Sequence, residues 1–315
     1  MLTSHLPLIA EIYGSDVAGD PLMLMFVAGT AFLLGAVIGS FLNVCISRLP
    51  VISIVQQYNS GDDTLRAEII EALDEDPAKA QAMIDEMRQE KVTISKPRSR
   101  CPQCKNQIAW FDNIPIGAWL MLGGKCRHCG LKISPIYPTV ELLTGLAFAF
   151  LVLKFGLVVG GIYSIIFASL VVITGVDIAI FEIPDEIVLP GIPLGLLATW
   201  VLPVTFTEAA IGVLVGGGIP YLVGKGYYLL TKREGMGFGD VKMLAMLGAF
   251  FGWKGVIAIL LLASFVGATI GLTLVVLRRH ESRAMLPFGP FLALGAVVFM
   301  VAGPELVNWY LGMGG

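Results

Sequence analysis

The chain has 315 residues, of which 56% are hydrophobic and 14% charged, and its mean hydropathy is +0.80. A bilayer core about 30 Å thick takes roughly 20 apolar residues per helix, so this balance excludes a soluble globular domain and predicts an all-α polytopic membrane protein. The formal net charge of −3 argues against nucleic-acid binding.

About eight transmembrane helices are expected, near residues 24–46, 138–156, 159–179, 187–203, 208–230, 239–252, 255–277 and 287–312. The stretch from Met1 to Pro21 has no Lys or Arg, so it lacks the basic start of a cleavable signal peptide. Residues 1–23 read as a periplasmic N-terminal segment, and 24–46 as a retained first transmembrane helix. Orientation follows the basic residues. Twelve of the twenty-one Lys and Arg lie in the loop 47–137, with Lys232, Arg233, Arg278, Arg279 and Arg283 in later loops on the same side. The other side has only Lys154 and Lys254. The basic side is cytoplasmic on this rule, and both termini are periplasmic.

The loop 47–137 is the one sizeable soluble segment. Its first part, residues 62–91, has the pattern of a helical hairpin, with Asp76-Pro77 restarting a helix. It reads as a solvated accessory hairpin or as a partner-docking surface. Its second part, residues 96–135, contains Cys101-Pro102-Gln103-Cys104 and Cys126-Arg127-His128-Cys129. Two such knuckles let four thiolates close a tetrahedral, structural Zn²⁺ site, one ion per chain, in a zinc-ribbon-like module. Two disulfides or a thioredoxin-like redox pair are the alternatives, and His128 is a competing ligand. Cys45 reads as a small buried residue in the first span. Gly35-x-x-x-Gly39 reads as a helix-packing seam, as do the glycines at 216–218.

Residues 138–315 read as a seven-helix core with an acid at each of two span ends. Asp177 begins Asp177-Ile178-Ala179-Ile180-Phe181-Glu182-Ile183-Pro184-Asp185, and Asp240 lies in Gly237-Phe238-Gly239-Asp240-Val241-Lys242. The charge topology puts both at the cytoplasmic face. Ionisable groups at a bilayer carry a functional reading by default. Two such carboxylates can share one proton and divide the work of peptide hydrolysis, one as base and one as acid. Gly237 and Gly239 would let a substrate backbone approach the carboxylate, and Lys242 would hold Asp240 ionised or steer substrate. Interfacial acids that mark helix ends, or a proton-coupled transporter, are the competing readings.

Together these motifs resemble the type IV prepilin peptidases, also called leader peptidase/N-methyltransferases, within the GxGD class of membrane aspartic peptidases. The likeness runs in order through Gly39-Ser40-Phe41-Leu42-Asn43-Val44, Arg48-Leu49-Pro50 and the two cysteine knuckles. It includes Trp110-x-Asp112-Asn113-Ile114-Pro115, Tyr137-Pro138-x-x-Glu141-Leu142-Leu143-Thr144-Gly145 and both aspartate motifs, and ends at Pro287-Phe288-Gly289-Pro290-Phe291-Leu292-Ala293. The resemblance implies a bifunctional inner-membrane enzyme. It would cleave the basic leader of type IV prepilins or pseudopilins after a Gly at the cytoplasmic face, as in type IV pilus assembly and type II secretion. It would then N-methylate the new N-terminal residue, usually Phe, with S-adenosylmethionine. Motif matching gives the catalytic pair as Asp177 and Asp240, and the zinc ligands as Cys101, Cys104, Cys126 and Cys129. Ala179 stands where relatives often carry a second Asp, which leaves Asp177 as the acid at that position, and the hairpin is long for the family. On this reading Glu182, Asp185 and Glu186 would attract the leader's Lys and Arg. No Gly-rich loop marks the site of S-adenosylmethionine, and Trp110, Asp112 and Asn113 either frame that site or hold the ribbon together. A peptidase without methylase activity and a presenilin-type protease are alternatives. Against the latter, a Pro-Ala-Leu motif is missing and only Leu286-Pro287-Phe288 is offered.

Overall fold

A computed structural model of the chain describes residues 20–73, 76–232, 237–277 and 286–312. Most of the N-terminal segment, with Arg233, Arg278, Arg279 and Arg283, lies outside the described residues. No strand forms among the described residues; the extended pairings are the single bridges Arg100 to Gln107 and Lys125 to Lys132. Two compact units result, Met1–Lys154 and Phe155–Gly315.

The first unit opens with helix α1, Pro21–Asn59. Asp20 caps it by accepting the Leu22 N–H at 2.9 Å, and Pro21 fills the first turn, where a missing N–H costs nothing. The helix runs on beyond residue 46 and through Pro50 to Asn59. Its extension meets the accessory helices α2, Asp63–Leu73, and α3, Pro77–Glu90. The Tyr58 carbonyl accepts from Arg66 Nε and the Tyr58 hydroxyl donates to Gln81, both at 2.8 Å. On α3, Ala80 and Ile84 are fully buried, so the hairpin is packed on the unit through one apolar stripe.

The ribbon follows, with a 3₁₀ turn at Trp110–Asn113 and the short helix α4, Gly117–Met121. Helix α5, Ile136–Ile180, then begins. Its start lies against α1 through glycine contacts. A Cβ on Gly35 would meet Phe148 at 2.8 Å, and one on Gly39 would meet the Glu141 Cα at 2.8 Å. The Gly35-x-x-x-Gly39 seam is therefore internal to this unit.

Four described helices are long and apolar enough to cross a membrane: Pro21–Asn59, Ile136–Ile180, Phe206–Thr231 and Phe238–Val276. Two of them are broken by glycines in backbone conformations that side chains disfavour, Gly156 (φ 80°) in α5 and Gly252 (φ 69°) in α9, Phe238–Val276. Both breaks coincide with points where the sequence ends one span and starts the next.

In the second unit α9 is central. From Met243 to Gly252 every residue is buried. Around it pack α6, Asp185–Ala198; α7, Phe206–Val213, with a π turn at Leu214–Gly218 leading into α8, Ile219–Thr231; and α10, Gly289–Gly312. The α7–α9 crossing is made of backbone. A Cβ on Gly212 would lie 2.2 Å from the Gly248 carbonyl, one on Gly248 would lie 2.1 Å from the Gly212 carbonyl, and one on Gly216 would lie 2.3 Å from the Leu244 carbonyl. Glycine alone permits helices this close.

Candidate active site and metal centre

The two aspartates stand at helix ends within the second unit. Asp177 lies in the last turn of α5, whose chain leaves through Phe181 at φ 56°. It is buried, at 5% exposure, and its Oδ2 accepts the backbone N–H of Gly289 at 2.9 Å. Asp240 is in the first turn of α9, capped by Gly237. An acid there faces free N–H groups and the positive end of the helix dipole. Its carboxylate curls back, so that a Cβ on Gly237 would lie 3.1 Å from Oδ2. Asp177 is the charged group that acts on Asp240 electrostatically. Two acids far apart in sequence are thus brought within each other's field.

Around them, the space beside Gly239 is taken by Ile183, which a Cβ would approach to 3.0 Å. The glycine lets the chain after Asp177 pack on the helix that carries Asp240. Lys242 forms an ion pair with Asp185 and lies over the Phe238 ring at 5.0 Å. That pair joins the start of α6 to the start of α9. Sequence reading did not assign Gly289 or Ile183, because both act on residues distant in the chain.

The cysteine module folds as two matching knuckles. In the first, the Cys101 N–H donates to the Asn106 carbonyl at 2.9 Å and the Lys105 N–H to the Cys101 carbonyl at 2.9 Å. In the second, the Cys126 N–H donates to Leu131 at 2.8 Å and the Gly130 N–H to Cys126 at 3.0 Å. Lys105 (φ 55°) and Gly130 (φ 73°) hold the same position after the second cysteine, so both loops turn back alike. The result places Cys101, Cys104, Cys126 and Cys129 with all four sulfurs within 4.8 Å of one another, and Cys101 and Cys129 at 3.7 Å. Tetrahedral zinc with bonds of about 2.3 Å requires sulfurs about 3.8 Å apart. The donor set and spacing fit a metal ion. His128 is not part of the group. Backbone N–H groups, those of Cys104 and Cys129 foremost, favour the thiolate at two of the four: the Cys101 thiol is drawn down to about 6 and that of Cys126 is also lowered. At Cys129 the Leu131 N–H is outweighed by burial and the neighbouring sulfurs, which push that thiol up to about 11.

Polar contacts tie the ribbon to its surroundings within the first unit. Arg127 grips Asp112 through Nε at 2.9 Å and Nη2 at 2.5 Å, and this pairing holds the Asp112 carboxyl below its usual range. The Asp112 of the Trp-x-Asp-Asn motif is therefore a structural latch, whereas Trp110 is 76% exposed. Glu141, buried on α5, accepts the Ile116 N–H at 2.7 Å. Arg48 donates to the carbonyls of Thr93, Ile94 and Pro97 at 2.8, 3.2 and 2.6 Å. Between α1, α3 and the ribbon lies a cavity of about 720 Å³, lined among others by Asn43, Arg48, Glu86, Trp119 and Glu141. Cys45 is buried on α1.

Two family models match the chain: the bacterial peptidase A24 N-terminal domain over residues 33–155, and the type IV leader peptidase family over residues 164–272. A protein of Aeromonas hydrophila named prepilin leader peptidase/N-methyltransferase is 35% identical over 291 residues, covering 89% of this chain and 92% of its own. Proteins of the same name from Stutzerimonas stutzeri and Pseudomonas aeruginosa are 35% and 36% identical. They cover 94% and 90% of this chain and 96% and 93% of their own. No solved structure matches.

Proposed function

This chain belongs to the type IV leader peptidase family, and on that premise we propose that it is a bifunctional prepilin-processing enzyme of the bacterial inner membrane. The observation that carries the reading is the pair of helix-end carboxylates, with Asp177 buried and held by a backbone N–H and Asp240 in its field. The substrate is a type IV prepilin or pseudopilin, whose basic leader meets an apolar helix at the cytoplasmic membrane face. Eight segments cross the bilayer, with α5 and α9 each divided at its glycine break, and this topology puts both aspartates at that face.

In the cleavage step the ionised member of the pair takes a proton from water as the water attacks the carbonyl carbon of the Gly that ends the leader. The protonated member donates to the leaving amine as the peptide bond breaks. The pair ends with its protons exchanged and returns to its starting state through water. Asp185 is engaged by Lys242, which reduces its part in attracting the leader's positive charge.

The four cysteines hold one structural Zn²⁺, which closes the ribbon and leaves no open coordination position for chemistry. S-adenosylmethionine, when bound, supplies the methyl group for the new N-terminal amine. We place it in the cavity of about 720 Å³ beside the ribbon, which has the size of small-molecule sites. Its wall offers acidic and basic side chains to the two charged ends of the donor's amino-acid part.

The test is purified protein in detergent with a model prepilin and labelled S-adenosylmethionine. Release of the leader together with label on the mature N-terminus is expected. Cleavage without label would leave a peptidase with a purely structural ribbon, and no cleavage would remove the reading.

A further inference from the structure

We propose that Gly289 is a positioning residue for peptide cleavage: its N–H fixes one oxygen of Asp177, and its missing side chain leaves room for that carboxylate. The inference rests on Asp177 being one of the two catalytic acids.

Three observations carry it. The contact joins residues 112 apart in sequence, with the Gly289 N–H 2.9 Å from Asp177 Oδ2. The space is closed to any other residue. A Cβ at position 289 would lie 2.6 Å from Oδ2, 3.2 Å from Cγ and 3.4 Å from Cβ of Asp177, and these are its three nearest atoms. Asp177 is short and buried, so its carboxylate cannot yield without breaking the hydrogen bond. Thirdly, Gly289 has no positive backbone φ that would itself require glycine. The demand for glycine comes from the aspartate.

The surrounding Pro-Phe-Gly-Pro sequence makes sense on the same terms. The first N–H groups of a helix have no partner within it. Gly289 opens α10 and offers the first of them; Pro290 has none to offer. The N–H groups of Phe291 and Leu292 turn back to the Phe288 carbonyl at 3.0 and 3.1 Å. The helix start thus presents the Gly289 donor to Asp177. With Oδ2 held, Oδ1 is the oxygen left to face water and the partner acid. A reacting group misplaced by about 1 Å can cost 10²-fold in rate, which sets the scale of what this contact protects.

The experiment uses the full chain with the substitution Gly289→Ala and reads kcat and KM for prepilin cleavage, methylation of an already cleaved pilin, and melting temperature. The expected result is a fall in kcat of about 10²-fold, with KM and methylation near wild type. A second measurement covers a variant too unstable to assay. The melting-temperature loss caused by Gly289→Ala should largely vanish in an Asp177→Ala background, where the clashing carboxylate is gone, and persist with Asp177→Asn, where its shape remains. Wild-type kcat in Gly289→Ala overturns the proposal, as does a melting loss that is the same with and without the carboxylate. If Asp177→Asn itself cleaves normally, the catalytic reading beneath the proposal falls and takes the proposal with it. If Asp177→Asn is inactive but Gly289→Ala is fully active, the proposal fails alone.

Discussion

The ribbon and the membrane core are ordered by opposite means. In the ribbon few side chains are buried; shape comes from four sulfurs, two left-handed turns, and charged groups such as Arg127 and Asp112. A small loop module of this kind has little apolar surface to bury, and metal coordination by the four cysteines would take the place of a core. In the core, helices meet at Gly212, Gly216 and Gly248, where any Cβ would run into the facing carbonyls of Gly248, Leu244 and Gly212. Lipid gives no hydrophobic drive between helices, so close van der Waals packing must supply it. One region is held by strong local bonds, the other by fit, and the two candidate acids, Asp177 and Asp240, sit where fit governs position.

The comparison can be broken in several ways. The largest effect should come from Asp177→Asn or Asp240→Asn, each lowering cleavage about 10²–10⁴-fold while zinc content stays at one ion per chain. Metal loss in these variants would show that the two regions are not independent. Next, Cys101→Ser combined with Cys126→Ser should abolish zinc binding, measured by metal analysis of the purified protein, and expose the ribbon to protease. Zinc-free wild type would refute the metal assignment. In the core, Gly248→Ala should destabilise by about 1–3 kcal/mol through overpacking, seen as a lower melting temperature with zinc retained. An unchanged melting temperature would contradict the backbone crossing.

The smallest effect concerns the Asp112 latch. Pairing with Arg127 lowers the folded-state value of this carboxyl. Its contribution is therefore present above the ordinary carboxylate value and disappears as pH falls through the folded value. Asp112→Asn should loosen the ribbon at neutral pH, read as faster hydrogen exchange over residues 99–133, and the difference from wild type should close in strong acid. A difference that persists there would assign Asp112 another role.

How much of this was legible in the sequence follows from the same contrast. The ribbon's chemistry is local: the spacing of Cys101, Cys104, Cys126 and Cys129 encodes the cluster directly. Asp177 and Asp240 were legible because a charge in an apolar stretch is costly. The partners of these acids were not. Gly289 reaches Asp177, and Ile183 reaches the glycine before Asp240, only through helix packing. Lys242 was read toward Asp240, its near neighbour in the chain, but its ion pair is with Asp185 on α6. The extension of α1 past residue 46 was likewise hidden, because Pro50 reads as a helix breaker while contacts with α2 and α3 sustain the helix. Gly156 and Gly252 illustrate the converse: expected span boundaries fall at both, but nothing in the sequence says that a single residue with positive φ makes each break.

The central claim is that Asp177 and Asp240 act as one unit. Its most direct test is a kinetic double-mutant cycle on prepilin cleavage with Asp177→Asn, Asp240→Asn and the two combined. Groups that work as a pair lose almost everything when either is removed. The account expects the double variant to be no slower than the slower single variant. Losses that multiply, or either single variant cleaving at the wild-type rate, would contradict it.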